Sequence, residues 1–258
     1  WGTQFIVNFY NKCDFVWTVN NATAETLRSY GFEGSIEIMP NGVDCIYPSD
    51  AEDRRKCMRE KYCIDSDTVV FLFVGQQDIK KNIELILKGA AKYKREKGDF
   101  KLILVGEGPD SERFKEQAKN LGIFENCIFT GLISDKNELN NLYLGADLFL
   151  FPSLYDNASL VVREASAMHL PCVLVDGSNT AEGIEHKNNG YLCKNDTDSF
   201  YNCIAEALGD SEQRRQIGIN ASKTVCQDWD SIIEKVQVSY EKAIAWKKSV
   251  IESKKRKK

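Results

Sequence analysis

Hydrophobic residues recur along the middle of the chain in short runs that are apolar at both odd and even positions. Such runs are typical of strands buried on both faces of a parallel sheet. The predicted strands lie at 68–74, 100–105, 127–130, 147–151, 171–175 and 190–193. The first five each lead into a helical pattern, at 82–96, 111–120, 135–145, 159–168 and 179–184. This alternation predicts an α/β fold with a Rossmann-like, doubly wound parallel sheet of about six strands.

The region before these runs has a different organisation. Residues 15–19 predict a strand, and residues 21–30 predict a helix that is capped by Asn20 or Asn21 and ends at Gly31. A single β–α unit cannot bury both faces of its strand. We therefore interpret it as the last unit of a preceding domain whose other strands are absent.

Turn residues "PNG" at 40–42 mark a boundary, and a capping box at Ser49 and Glu52 predicts a helix to about Tyr62. Further helices are predicted at 197–209 and 211–226. A final helix carries an apolar stripe, which packs either against its own domain or back onto the preceding one. The five predicted parts are the last β–α unit (1–38), a linker (39–48), the Rossmann-like domain (49–226), the amphipathic helix (227–253) and a basic tail (254–258).

Charge is unevenly distributed along the chain. The net formal charge is −4, yet the last five residues are all basic. The rest of the chain is therefore more acidic than the net value suggests and makes a poor nucleic-acid surface. No apolar run approaches the roughly 18–20 residues that span a bilayer, so the sequence predicts no membrane-spanning helix.

The nine cysteines are scattered and odd in number, and no C-x-x-C pair occurs. Several fall inside apolar strand or helix patterns, where a reduced thiol acts as a small hydrophobic side chain. We therefore predict reduced thiols rather than a disulfide framework or a metal site. His169 and His186 share no ligand spacing with cysteines or acids and are predicted in loops or at helix ends.

Polar loops follow the predicted strands at the edge where ligands bind in open parallel sheets. Gly75 follows the first strand and Lys81 precedes the next helix; Gly106 and Glu107 follow the second strand, and Gly131 follows the third. Glycine lets a backbone approach a ligand, and a helix N-terminus favours anions. The loops lack the glycine spacing of dinucleotide-binding and P-loop motifs.

The fourth loop, "FPSLYDNASLVVREA" at 151–165, contains two acids eight positions apart. Asp156 is predicted in the loop and Glu164 inside the following helix. A carboxylate binds a vicinal diol well because it accepts two charge-assisted hydrogen bonds. Taken alone, the residues leave open whether Asp156 merely caps the helix and Glu164 is solvated.

Taken in order, "VG-x5-KN", "VGEGP", "TG" and "FPSLYD-x7-EA" resemble the donor-binding domain of retaining glycosyltransferases of family 4, which have the two-domain GT-B fold. The resemblance covers about residues 13–245 and includes "TVNNATAETLRSYGF" and "IMPNGVD". It implies that the chain is mainly the C-terminal donor-binding half of such an enzyme, after a missing N-terminal acceptor domain.

The resemblance also implies roles for particular residues. In the family the first acid lies near the donor sugar and the second binds the ribose hydroxyls, positions filled here by Asp156 and Glu164. Lys81 fills the position of the phosphate-binding lysine. These three are the implied catalytic residues. The implied donor-binding set is Gly75, Gln76, Lys81, Gly106, Glu107, Gly131, Leu132, Asp156, Asn157, Ala158, Ser159, Leu160 and Glu164.

Two positions depart from the family pattern. Asp156 is one methylene shorter than the usual glutamate. Gln76 stands where the family usually has an arginine on the donor diphosphate, and a neutral amide cannot replace a bidentate guanidinium. Lys80, next to Lys81, offers partial compensation. Because acceptor recognition belongs to the other domain of the family's fold, the chain alone is expected to bind its donor weakly and to transfer nothing.

The family mechanism transfers a sugar from a UDP- or GDP-linked donor with retention of configuration, without a cofactor or a metal. The expected acceptor is a polysaccharide or a lipid, and no nucleic-acid partner is expected. Two alternatives are a non-catalytic nucleotide-sugar-binding module and a nucleotide-sugar 2-epimerase on the same fold. The cysteine pattern, interpreted as reduced thiols, predicts a cytoplasmic protein. The basic tail is either solvated or in peripheral contact with the inner face of an anionic membrane.

Overall fold

The computed structural model describes residues 2–256, and the chain divides into two compact units. Unit 1 is formed by the two ends of the chain, up to Gly42 and from Gln227 onward. Unit 2 is the continuous segment Val43–Cys226. The first boundary lies within the range 39–48 that the sequence suggested as the linker.

The N-terminal part of unit 1 contains helix α1 (Gly2–Tyr10), strand β1 (Val16–Thr18), helix α2 (Asn21–Ser29) and strand β2 (Ile36–Ile38). The two strands pair in parallel. Asn20 caps α2, because its side chain accepts a hydrogen bond from the Thr23 amide at 2.8 Å. Helix α1 had no counterpart among the predicted elements.

Unit 2 is built on one parallel sheet, whose six strands confirm the predicted fold class. The strands are β3 (Val69–Val74), β4 (Phe100–Val105), β5 (Cys127–Gly131), β6 (Leu148–Leu150), β7 (Cys172–Val175) and β8 (Tyr191–Cys193). Their order across the sheet is β5-β4-β3-β6-β7-β8, and every neighbouring pair is parallel. All six lie where the apolar runs predicted them.

The helices of unit 2 are α3 (Ala51–Lys61), α4 (Ile83–Lys97), α5 (Ser111–Asn120), α6 (Lys136–Gly145), α7 (Leu160–Ala167), α8 (Thr197–Gly209) and α9 (Ser211–Thr224). The helix predicted at 179–184 is wrong, since only a 3₁₀ turn forms at Asn179–Ala181. Gly177 and Gly183 both have positive φ and confine that segment. The predicted capping box is wrong too, because Asp50 precedes α3 and its side chain makes no capping hydrogen bond.

The core of unit 2 explains why the apolar runs lack alternation. Phe71, Leu72 and Phe73 on β3 and Leu102 and Ile103 on β4 have no exposed surface, although successive side chains point to opposite faces. Both faces of these central strands are therefore covered. Each such side chain contributes about 1.5–3 kcal/mol relative to exposure, so the sheet is a rigid base for the loops at its edges.

The long C-terminal helix α10 (Trp229–Arg256) completes unit 1. Its Ser239 hydroxyl accepts a hydrogen bond from the Trp17 indole at 2.9 Å and donates one to Glu37. Trp246 packs edge-to-face on Phe15 with a centroid separation of 5.7 Å. The helix thus packs along the β1–β2 pair.

Helix α10 continues beyond 253, where the sequence analysis placed the start of a separate tail. Its last residue is Arg256, and the tail residues Lys257 and Lys258 lie outside the described residues. Within the described part of the chain, no helix combines the length and apolarity needed to cross a bilayer.

A disulfide joins Cys45 to Cys226, whose Cα atoms are 6.1 Å apart. The prediction that all thiols are reduced is wrong for this pair. The two cysteines are 181 positions apart, so no local pattern could indicate a bond that the tertiary fold creates. Because Cys45 and Cys226 lie near the first and last residues of unit 2, the bond ties its two ends together.

Reduction of this bond is expected to lower the free energy of unfolding by about 2–5 kcal/mol, because the closed loop restricts the unfolded chain. Urea unfolding with and without dithiothreitol measures the difference. The Cys45→Ser variant cannot form the bond, so its free energy of unfolding should be the same with and without dithiothreitol. Cys57→Ser, which removes a free and exposed thiol, should behave like the wild type. Equal urea midpoints for the wild type in both buffers would contradict the expectation.

Candidate functional site

The parallel order of the strands brings four loops to one edge of the sheet. Strands β5, β4, β3 and β6 are consecutive neighbours, so the loops that follow them leave the sheet in the same direction. These loops contain most of the residues that the resemblance marked for donor binding. They are defined here as the carboxyl edge, formed by residues 75–82, 106–110, 131–135 and 151–159.

The loops after β3 and β4 are locked together by backbone contacts. The Gly75 amide donates to the Val105 carbonyl at 3.0 Å, and the Gln77 amide donates to the Glu107 carbonyl at 3.1 Å. A Cβ atom at Gly106 would lie only 2.1 Å from the Gly75 carbonyl oxygen. Packing against Gly75 therefore requires glycine at position 106, independently of any ligand.

The two glutamines after β3 have different environments. Gln76, at the position of the usual arginine, is exposed. Gln77 is only 2% exposed and donates its side-chain amide to the Gly106 carbonyl at 2.8 Å. Its Oε1 atom is buried without a hydrogen-bond partner among the described residues. Gln77 is not a defining residue of any sequence motif, yet its side chain joins the loops after β3 and β4.

The loop after β5 joins the same cluster. The Gly106 amide donates to the Gly131 carbonyl at 2.8 Å. The Glu107 carboxylate lies over Gly131, because a Cβ atom there would be 2.9 Å from Glu107 Oε1. Leu132 follows with 73% of its surface exposed. Glu107, Gly131 and Leu132 are thus brought together at the carboxyl edge.

Lys81 and Asp156 form an ion pair across the carboxyl edge. Lys81 Nζ lies 2.5 Å from Asp156 Oδ1, and the two side chains are only 21% and 22% exposed. The other carboxylate oxygen, Asp156 Oδ2, is buried and has no hydrogen-bond partner within residues 2–256. The pair therefore joins the loops after β3 and β6 and leaves one acceptor atom unused.

Asn82, directly after Lys81, helps to fix this arrangement. It has a left-handed backbone conformation with φ of 58°. Its side-chain amide donates to the Pro152 carbonyl at 3.2 Å and to Asn195 Oδ1 at 2.9 Å. The Lys81 side chain is therefore held by the ion pair to Asp156, while the backbone that follows it is fixed by the hydrogen bonds of Asn82.

Helix α7 begins directly after the loop that carries Asp156. Ser159 is the residue before its first turn and makes no side-chain capping bond. Asn157 accepts a long hydrogen bond of 3.4 Å from the Asn179 side chain. The segment Asn157, Ala158, Ser159 and Leu160 therefore leads to a helix N-terminus at the carboxyl edge, as the sequence predicted.

Glu164 lies in the second turn of α7 and, among the described residues, forms no hydrogen bond or ion pair with Lys81 or Asp156. Its Oε2 atom accepts a hydrogen bond from the Tyr143 hydroxyl at 3.0 Å. The structure thus groups Lys81 with Asp156 and Glu107 with Gly131, while Glu164 has its own partner. The donor-binding and catalytic roles of these residues remain predictions.

Asp-x-Asp tripeptides occur at 65–67, 196–198 and 228–230. Two of them begin with helix caps, because Asp196 accepts from the Ser199 amide and Asp228 accepts from the Ser231 amide. Asp65 accepts through its backbone carbonyl from Arg59. These tripeptides thus have structural roles, and the metal independence of the chemistry stays a prediction from the resemblance.

Asp156→Asn is expected to raise the affinity of the chain for UDP about fivefold. The carboxylate neutralises Lys81 and repels a diphosphate, and a partly buried pair of this kind is worth about 1 kcal/mol. Isothermal titration calorimetry measures the change. Asp176→Asn removes an exposed carboxylate after β7 that forms no ion pair with Lys81, and it should leave UDP affinity unchanged. Weaker UDP binding by Asp156→Asn would contradict this reading.

The six-stranded parallel sheet with helices between its strands defines the chain as an α/β protein of the Rossmann-like class. Residues 54–224, more than half of the chain, match the family described as glycosyl transferases group 1. The chain belongs to that family.

Known relatives and structures agree with this assignment. An uncharacterized glycosyltransferase of Methanocaldococcus jannaschii is 25% identical over 244 residues, covering 91% of this chain and 61% of the relative. The GDP-mannose-dependent alpha-(1-6)-phosphatidylinositol monomannoside mannosyltransferase of Mycolicibacterium smegmatis is 26% identical over 228 residues, covering 85% and 59%. The chain therefore spans about three fifths of these relatives.

Anabaena HepE in complex with UDP-glucose is similar in structure, with a TM-score of 0.80 and 19% identity, covering 93% of this chain and 67% of that one. At this level of identity the likeness concerns the fold. It confirms the predicted GT-B fold class.

Proposed function

We propose that the chain is the donor-binding part of a retaining glycosyltransferase of family 4, which moves a sugar from a nucleoside diphosphate sugar to an acceptor hydroxyl. The observation that carries this proposal is the Lys81–Asp156 pair, which stands beside the start of α7 and has one unpartnered carboxylate oxygen among the described residues. Membership of the group 1 family supports the reaction class.

The diphosphate of the donor is proposed to bind between Lys81 and the amides at the start of α7. A helix N-terminus carries a partial positive charge and free N–H groups, which suit phosphate. As the bond from sugar to phosphate loosens, negative charge grows on the leaving diphosphate. Lys81 and the helix offset that charge in the transition state, so this part of the proposal requires no metal.

The two acids are proposed to bind the hydroxyls at either end of the donor. When the diphosphate attracts Lys81, Asp156 Oδ1 is free to accept a hydrogen bond from a sugar hydroxyl. Asp156 is shorter than glutamate, so the sugar would lie closer to the loop. Glu164 is proposed to accept from the ribose diol, as a carboxylate suits two adjacent hydroxyls. The acceptor would attack from the face that the diphosphate leaves, which retains configuration.

The donor nucleotide is proposed to be UDP- or GDP-linked. One relative is named for its GDP-mannose dependence, and one similar structure contains UDP-glucose. Backbone groups near Gly131 and Leu132, with the remaining donor contacts at Gly75, Gln76, Gly106 and Glu107, are proposed to surround the nucleotide.

The acceptor is proposed to be a polysaccharide or a lipid, since one relative is named for a phosphatidylinositol mannoside substrate. Acceptor recognition is assigned to an N-terminal domain preceding this chain in a longer protein. A cytoplasmic location with peripheral contact between the basic tail and the inner face of a membrane belongs to the same proposal. The comparisons lend no support to a non-catalytic module or to a 2-epimerase.

Calorimetric titration of the chain with UDP, GDP, ADP and the matching nucleosides tests the proposal. We expect UDP or GDP to bind at one site per chain and more tightly than its own nucleoside, because the diphosphate contacts Lys81. Equal affinity for diphosphate and nucleoside would show that the diphosphate is not recognised. Absence of binding by all three diphosphates would overturn the donor assignment.

A further inference from the structure

Glu164 depends on a tyrosine that no sequence motif pointed to. Tyr143 on α6 is 1% exposed, and its hydroxyl donates to Glu164 Oε2 at 3.0 Å. Among the described residues, this hydroxyl is the one group that donates a hydrogen bond to the Glu164 side chain. No described group donates a hydrogen bond to the other oxygen, Oε1.

The ring of Tyr143 is fixed by the core of unit 2. It packs edge-to-face on Phe149 of β6, with centroids 5.7 Å apart and an interplanar angle of 66°. A buried ring packed in this way has little rotational freedom, so its hydroxyl stays in one place. Because α6 and α7 are separate elements, the tyrosine fixes the carboxylate from outside the helix that carries it.

The chemistry of the pair gives the hydrogen bond a defined direction. Burial, together with the nearby Glu164 carboxylate, raises the pKa of Tyr143 well above its ordinary value. The hydroxyl therefore stays protonated at neutral pH and acts as the donor, while Glu164 is the acceptor. A carboxylate held through one oxygen presents the other in a fixed orientation.

We propose that Tyr143 is a positioning residue that holds Glu164 in the orientation in which Oε1 accepts from the ribose diol of the donor nucleotide. This inference rests on the function proposed above. Tyr143 does not contact the substrate itself. It lowers the cost of binding because the carboxylate is already oriented before the nucleotide arrives.

Tyr143→Phe tests this inference because it keeps the ring and removes only the hydroxyl. The variant should bind UDP about tenfold more weakly than the wild type, which is the lower end of what one hydrogen bond to a charged group contributes. Its affinity for 2′,3′-dideoxy-UDP, which lacks the diol, should be unchanged. A purely structural role of the hydroxyl would weaken both ligands equally. If the chain prefers GDP, the same comparison uses GDP and its dideoxy analogue.

Two further variants make the comparison specific. Tyr191→Phe removes another buried hydroxyl, one without a hydrogen-bond partner among the described residues, and should leave the preference for UDP over dideoxy-UDP intact. Glu164→Gln should reduce that preference. If Glu164→Gln reduces it and Tyr143→Phe does not, the positioning role is overturned while the proposed function stands.

If the wild type binds no diphosphate, the proposed function falls and this inference falls with it. A structure of the wild type with bound UDP supplies a second test, which does not depend on the folding of any variant. The inference predicts that Tyr143 keeps its hydrogen bond to Glu164 Oε2 while Oε1 contacts the ribose. Rotation of Glu164 away from Tyr143 on binding would overturn it.

Discussion

Lys81→Met is expected to lower the affinity of the chain for UDP about 10- to 100-fold. A hydrogen bond to a charged group is worth about 1.5–3 kcal/mol, which corresponds to this range. Methionine keeps the apolar stem of Lys81, whose Nζ lies 5.8 Å from the centre of the Phe151 ring. The substitution also leaves Asp156 without its partner, so its carboxylate faces the diphosphate uncompensated. Titration calorimetry with UDP measures the loss.

Lys80→Met is the matched control for this variant. Lys80 has the same charge and adjoins Lys81, but its side chain is exposed and forms no ion pair with Asp156. Its loss should weaken UDP binding severalfold less than the loss of Lys81 does. The double variant Lys81→Met/Asp156→Asn should recover part of the affinity, because it no longer carries the unpaired carboxylate of Asp156. A larger effect at Lys80 than at Lys81 would place the diphosphate elsewhere.

Asp147→Ala is expected to lower the free energy of unfolding by about 3–5 kcal/mol, because removing one partner of a buried ion pair leaves the other charge buried and unpaired. The Asp147 side chain is 13% exposed and bonds Arg55 at 2.7 Å and Arg59 at 3.0 Å. It also accepts from the Val70 amide at 2.8 Å. The acid thus joins α3 to the starts of β3 and β6, and its removal leaves two arginines without their carboxylate. Urea unfolding followed by far-ultraviolet circular dichroism measures the change.

Asp50→Ala is the control for Asp147, because it breaks an exposed pair with Arg54 whose aspartate side chain is 53% exposed. An exposed pair of this kind contributes about 0.2–1 kcal/mol. Equal effects of the two substitutions would show that the buried network adds no stability beyond a surface pair.

Much of the unit 2 fold could be predicted because its signals are local. Apolar runs such as 68–74 and 100–105 read directly as doubly buried strands, and both are strands in the structure. The segment at 179–184 was harder, since its polar residues resemble a helix start while two flanking glycines limit it to a turn. A short helix-like sequence forms a helix only when the residues on either side of it allow the helix to continue.

The candidate site was predictable only in part. The family resemblance marked Lys81 and Asp156, and the structure pairs them, which a separation of 75 positions in the sequence could not indicate. Tyr143 reads as an ordinary apolar helix residue, and Gln77 as an ordinary loop amide. Their roles arise from hydrogen bonds between distant segments. The Cys45–Cys226 bond was missed for the same reason.

The central claim is that the carboxyl edge of the unit 2 sheet binds a nucleoside diphosphate. A crystal structure of the chain with UDP or GDP tests it most directly. The account predicts phosphate oxygens within hydrogen-bonding distance of Lys81 Nζ and the amides of 158–160, with the ribose against Glu164. Unit 2 also has a cavity of about 400 Å³ beside the starts of β6 and β7, whose lining includes both arginines (Arg55, Arg214 and Arg215) and acids (Glu52 and Asp147). A nucleotide bound there, with the carboxyl edge empty, would contradict the claim.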